Sequence, residues 1–362
     1  MFPLSKRDHK LVMEEIALTP AMDAPAVSPR LEGQIARCAE YIRRARSLGK
    51  PVIVTYGAHL IKNGVGPLIA RLIQGGWVTH VATNGAGMIH DWEFAYLGKS
   101  TEDVRANTVA GRFGTWEETG RYTNLAAAVG GIDGLGYGAS VGKMIAEDGL
   151  EIPSAAELRR RVSDAVKEAK PGEDLGALSD LLYLVTEFDL APGRLAVEHP
   201  FKLTSVQCAA AGAGVPFTIH PGIGYDIVYT HPMNCGGAIG RGAVRDFLTY
   251  ADSVSRLGGG GVHLTVGSSV MAPMIFEKSL SMANNHSIKK SGSPLQDYYL
   301  GVVDIADGGD WDWSVGEPPK DNPAYYLRFC KTFHRMGGTL DYLCVDNRAF
   351  ALHLCHALGV RS

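Results

Sequence analysis

The chain has 362 residues, 46% of them hydrophobic, enough for a full core in one large α/β unit. Its formal net charge of −3 gives no electrostatic reason to expect nucleic acid or an anionic membrane as a partner. Six cysteines with no C-x-x-C pair argue against a structural zinc site, so no metal is expected.

The opening residues hold no apolar run of signal-peptide type, and no stretch approaches the ~20 apolar residues of a membrane helix. A cytoplasmic protein with reduced thiols is the expectation. Residues 1–30 are polar and proline-containing and read as an N-terminal arm, leaving 31–362 as a single α/β domain. Leu31, Ile35, Cys38 and Ile42 recur at helical spacing. Val52 to Tyr56 is a β-branched apolar run ending at Gly57, followed by an amphipathic stretch from Val65 to Ile73. A second run, Val78 to Thr83, ends at Asn84-Gly85-Ala86-Gly87. Strand, helix, strand is the unit of a parallel sheet.

Residues 100–180 read as mostly helical, with a glycine-rich interruption from Gly130 to Gly142. Strands return at 215–219, 262–266, 298–303 and 340–345, and a helix is expected from Phe247 to Leu257. The economical topology is a doubly wound, mainly parallel sheet with extra helices, and with Gly57, Gly85, Gly222 and Gly267 on one rim.

Two nucleotide motifs fail. Gly142-Lys143 has Tyr137 and Met144 where a phosphate loop needs glycine and a hydroxyl residue, and Gly98-Lys99-Ser100 has Glu93 at the required glycine. Two strand-end loops remain as dinucleotide cradles: Thr83-Asn84-Gly85-Ala86-Gly87, and Gly222 to Asp226. Backbone N–H groups at such turns can hold a pyrophosphate and a nearby carboxylate can take ribose hydroxyls, although each loop could equally be a tight turn. His90, just past the first loop, is a proton-transfer candidate, or with Asp91 a helix-start pair. Asp307, Asp310, Asp312 and Glu317 interleave with Trp311 and Trp313. That pattern suits a cationic amine through charge and cation–π contact, or makes a solvated loop anchored by its indoles.

Taken in order, these segments resemble deoxyhypusine synthase. Tyr56 to Gly64 is similar to the family's first strand-end loop, and Thr83 to Gly87 with His90-Asp91 to its Thr-Thr-x-Gly-Gly loop and following acidic or His-Asp pair. Tyr96-Leu97-Gly98, Gly111-Arg112-Phe113-Gly114, Lys143-Met144-Ile145-Ala146 and Gly222 to Asp226 follow collinearly, and Val345-Asp346-Asn347 resembles the Ala-Asp-Ala that closes the cofactor site. The resemblance spans roughly residues 35–358 and implies NAD as cofactor, a small-molecule amine as substrate, and a homodimer or homotetramer. It implies cofactor contacts from Gly57, Thr83, Asn84, Gly85, Gly87, Gly222, Asp226 and Asp346. Asp310, Asp312, Glu317 and Trp313 stand as the substrate-binding group.

The family's imine-forming lysine is missing. Its segment aligns with Ser314 to Lys331 and places Arg328 at the lysine position. A guanidinium cannot become a neutral nucleophile near neutral pH. The expectation is NAD-dependent chemistry on a polyamine or other amine without that imine, with His90 moving the proton. The alternatives are true aminobutyl transfer through Lys331, and a non-catalytic nucleotide-binding sensor or scaffold.

Overall fold

The computed structural model describes residues 1–168 and 172–360. Six strands form the central sheet: Val52–Tyr56 (β1), His80–Asn84 (β2), Phe217–His220 (β3), Gly261–Val266 (β4), Tyr298–Asp304 (β5) and Thr339–Cys344 (β6). Their lateral order is β6-β5-β4-β1-β2-β3, and every pairing is parallel. All of β1 and all of β4 are buried, as expected when helices cover both faces of a parallel sheet. The doubly wound α/β architecture expected from the sequence is what the chain adopts, and the strands fall within about two residues of the expected runs.

The two faces differ in chemistry. Val54, Tyr56, Val81, Ile219, Leu264 and Val266 point into the larger core beneath the helices Pro29–Ser47, Gly66–Gln74 and Asn347–Leu358. Ile53, Ala82, Leu300 and Val302 face the helices Gly236–Ser255, Met271–Ser291 and Arg328–Arg335. Buried polar residues are interleaved in the same strands: Thr55, His80, Thr218, His220, His263 and Thr265.

The described residues between β2 and β3, 85–168 and 172–216, form the helical insertion. It starts with Gly85–Leu97 and includes Glu117–Ile132, Tyr137–Glu147 and Val206–Ala213. The Gly130 to Gly142 segment is the close-packed corner between two of these helices. A β-carbon on Gly130 would meet the Ser140 hydroxyl at 2.0 Å, and one on Gly138 the Phe217 carbonyl oxygen at 2.0 Å.

The first 30 residues are tied down rather than free. Leu11–Val12 pairs antiparallel with Lys99–Ser100, and Leu4, Met13 and Leu18 join the larger core. Arg7 reaches Glu93 with Nη2 at 2.6 Å from Oε2, and both side chains are sealed from solvent. Among the described residues no helix is long and apolar enough to cross a membrane.

Candidate functional site

Parallel strands all deliver their carboxyl ends to one rim, and a strand order that reverses direction at β1 puts the switch point between the ends of β1 and β4, the place where open α/β sheets bind ligands. Gly57 follows β1 and Gly267 follows β4. The Gly57 N–H donates to the Val266 carbonyl at 3.2 Å, and a β-carbon on Gly57 would lie 2.2 Å from the Gly267 carbonyl oxygen. Gly267 has φ +59, a conformation that glycine adopts without strain. Here the two loop backbones touch. Gly85 and Gly222 lie at the ends of β2 and β3, so all four glycines expected on one rim are there.

The β2–β3 side of the rim is built from interlocking polar contacts. The Thr83 hydroxyl donates to the Tyr56 carbonyl at 3.0 Å and stands where a β-carbon on Gly87 would go. Asn84 caps the Gly85–Leu97 helix by accepting from the Gly87 N–H at 2.9 Å. The Asp226 carboxylate accepts from the Gly222 N–H at 2.7 Å and abuts Gly85, where a β-carbon would fall 2.3 Å from Oδ2. Burial raises the Asp226 carboxyl above its ordinary range. An internal carboxylate therefore already sits at the helix start that the sequence offered to a pyrophosphate. The Tyr225 ring lies over Gly222. The Tyr229 hydroxyl is buried in the same neighbourhood with no hydrogen-bond partner among the described residues.

His90 lies in the second turn of that helix and is mostly buried. Its Nδ1 is 2.7 Å from Ser100 Oγ, which donates to Glu93 Oε2 at 2.5 Å, and Thr119 donates to Oε1 at 2.9 Å. Desolvation, the largest influence, pushes the His90 pKa down to about 4, and Glu93 opposes it. The imidazole is thus neutral near pH 7. Asp91 faces away into the core and caps another helix: it accepts from Ser205 Oγ and from the backbone N–H groups of Val206 and Gln207. That is a helix-start role, but for Val206–Ala213 rather than for its own helix.

The other candidates lie elsewhere. Asp346 is exposed at the end of edge strand β6 and accepts from the Arg348 N–H at 2.8 Å, capping the Asn347–Leu358 helix. Its neighbour Asn347 accepts from Asn63 Nδ2 at 3.0 Å, linking the loops after β6 and β1. Sequence reasoning missed this link. Lys331 belongs to the crossover from β5 to β6. It is 9% exposed, with Nζ 3.5 Å from the centre of the Tyr325 ring.

The acidic, indole-bearing segment is paired within the chain. Asp310 pairs with Arg30 at 2.7 Å, and Glu317 takes the Arg335 guanidinium through both oxygens at 2.5 and 2.9 Å. Asp312 accepts from the Ser314 N–H. Trp313 is buried among Ala324, Leu327 and Cys330. Two of the three carboxylates already hold cations from this chain, and the buried indole anchors the loop. The segment lines a groove of about 790 Å3 beside β6, with Arg30, Arg37 and Asp341 on its other wall. Four strand spacings of ~4.8 Å separate β6 from β2, roughly 19 Å, so one small amine cannot touch both this segment and Gly85.

No protein-family model and no curated protein matches the chain. Among solved structures it is similar to AgrE, crystallised as a ternary complex with ornithine and NAD+, at 16% identity and a TM-score of 0.46, over 92% of this chain and 34% of that one. ArgZ, an arginine dihydrolase from the ornithine-ammonia cycle in cyanobacteria, is similar at 14% identity and a TM-score of 0.39, over 90% of this chain and 32% of that one. A conserved LOR/SDH protein of Methanococcus maripaludis S2 is similar at 12% identity and 0.42, over 94% of this chain and 73% of that one. The chain thus spans about a third of the length of AgrE and ArgZ. Likeness at this level carries nothing about substrate or chemistry.

Proposed function

We propose that the chain binds NAD across the carboxyl rim of the sheet and carries out NAD-dependent chemistry on a small amine. The observation that carries this reading is the strand order β3-β2-β1-β4-β5-β6, with two glycine backbones in contact at the point where it reverses. In open α/β sheets that switch point is where nucleotides bind. Because Asp226 occupies the start of the Gly85–Leu97 helix, the pyrophosphate is assigned to the Gly57–Gly267 contact, and Thr83, Asn84, Gly85, Gly87, Gly222 and Asp226 to the adenosine end. Asp346, beyond the β6 end, is assigned to the other end of the cofactor.

The amine, and the kinship with deoxyhypusine synthase, rest on the collinear motifs. Those motifs depart from the family where it needs its lysine: Arg328 is exposed at that position, and Lys331 is covered by Tyr325. NAD, when bound, supplies hydride transfer, and His90 is the chain's candidate for moving the proton. Homodimeric or homotetrameric assembly belongs to the same proposal.

Calorimetry with NAD and NADH, followed by incubation with NAD and a panel of polyamines at the absorbance of reduced nicotinamide, tests both halves. Heat with NAD and reduced cofactor with one amine is the expected result. No heat with any adenine dinucleotide ends the reading. Binding without turnover, and with no label trapped on Lys331 by borohydride, replaces the enzyme with a nucleotide sensor.

A further inference from the structure

A hydrogen-bond chain crosses the second face of the sheet. Arg256 Nη2 donates to Ser253 Oγ at 3.4 Å, and Ser253 Oγ lies 2.9 Å from His80 Nδ1. His80 Nε2 lies 3.0 Å from Thr218 Oγ1, which lies 3.1 Å from His220 Nε2. The chain runs from the end of the Gly236–Ser255 helix to the last residue of β3. Its direction follows from what each group can do. A guanidinium only donates, so Ser253 accepts from Arg256, and among the described residues the acceptor in reach of the serine hydroxyl is His80 Nδ1. Burial pushes His80 and His220 down to about 3, so both are neutral and each carries one ring proton. His80 therefore bears its proton on Nε2 and donates to Thr218. Thr218 in turn donates to His220 Nε2, which leaves the His220 proton on Nδ1.

That Nδ1 has no partner among the described residues, and it is not one of the polar atoms sealed inside without one. His220 is 9% exposed and stands opposite Asn84 in the β2–β3 register, at the rim. The Tyr250 ring meets its edge at 5.4 Å between centroids and fixes its plane. The Asp226 carboxylate abuts Gly85, the residue after Asn84. A fixed donor and a fixed acceptor thus flank one peptide at the end of the sheet assigned to adenosine.

We infer that the His220 Nδ1–H and the Asp226 carboxylate together read the acceptor and donor edge of an adenine base, His220 holding N7 and Asp226 selecting the 6-amine. Adenine offers N7 as acceptor beside the N6 amine as donor, the complement of this pair. The inference rests on the dinucleotide reading above, and its two halves are tested separately. Histidine-selective nitrogen–proton NMR on the full chain without ligand reports the tautomer. The proton of His220 on Nδ1 is expected, with the Thr218→Val variant losing that preference. A proton on Nε2 overturns the donor whether or not NAD binds. Calorimetry then compares NAD with nicotinamide hypoxanthine dinucleotide, whose base has a carbonyl in place of the amine. Affinity at least about tenfold lower for the second is expected in the native chain, with the ratio shrinking in Asp226→Asn, whose amide suits either base, and with His220→Phe weakening both dinucleotides alike because both bases keep N7. Equal affinities overturn the adenine assignment while leaving the dinucleotide reading intact. Absence of binding by both removes the two together and leaves only the tautomer result standing.

Discussion

Gly57 and Gly267 hold the loops of β1 and β4 in backbone contact: a β-carbon on Gly57 would stand 2.2 Å from the Gly267 carbonyl oxygen, with nothing flexible to yield. Gly57→Ala should therefore push the loops apart and cost about 1–3 kcal/mol, as other overpacked sites do. Gly267→Ala has open space around its β-carbon, and its cost comes from φ +59 alone, about 1–2 kcal/mol. Urea unfolding gives both values. On the proposed reading Gly57→Ala also loses NAD at concentrations where it remains folded, and unchanged affinity there would move the pyrophosphate off this contact.

Asp226 gives a prediction whose sign follows from burial. Its carboxyl is shifted up, so the charge costs stability once the pH rises above the ordinary carboxylate range, near 3.9 in an unfolded chain. Asp226→Asn keeps an oxygen for the Gly222 N–H and removes the charge. The variant should be more stable than the native chain at pH 7, and the gain should vanish as the pH approaches 4. Its affinity for NAD should fall about tenfold, since an amide accepts less strongly than a carboxylate. Equal stability of the two proteins across that range would show that burial does not penalise the charge.

The strands and rim glycines could be read in the sequence because β-branched runs that end in glycine carry the signal locally. The polar lattice could not. His80, Thr218, His220 and His263 sit in strands buried on both faces, where apolar residues occupy the alternate positions and the period-2 pattern says nothing about which polar residues meet. The partners of the acidic segment were hidden for a different reason. Asp310 and Glu317 are neutralised by Arg30 and Arg335, one of them distant in sequence, and composition within the segment cannot show it. Asp91 likewise finds Ser205 across the insertion, 114 residues away.

The N-terminal segment was read as polar, yet Arg7 and Glu93, 86 residues apart, form a buried pair. Burying two charges is tolerable only while each compensates the other. Arg7→Met should destabilise the chain by about 3–5 kcal/mol by stranding Glu93 beside Ser100 and Thr119. Adding Glu93→Leu should recover much of that loss. If the double variant is as unstable as the single one, the arm's contribution is packing by Leu4 and Met13 rather than charge.

Desolvation pushes His80, His220 and His263 down to about 3, where an unfolded histidine titrates near 6.5. Below pH 6.5 the unfolded chain takes up protons that the native chain refuses, so stability present at neutral pH is lost as the pH falls from about 6.5 toward 3. Each such histidine contributes up to ~1.4 kcal/mol per pH unit in that window. Three together would exhaust a typical domain stability of about 5–15 kcal/mol within a few pH units. Urea midpoints at pH 7, 6 and 5 should therefore drop steeply, with acid unfolding near pH 5. His263 is the residue to change, because Tyr250 Oη at 2.8 Å and Thr55 Oγ1 at 3.1 Å both lie against its Nε2. His263→Gln leaves an amide that can hydrogen-bond to them and cannot charge, so the slope should flatten by about one proton's worth, ~1.4 kcal/mol per pH unit. A native chain equally stable at pH 7 and pH 5, or a variant with unchanged slope, would show that these rings accept protons without opening the sheet.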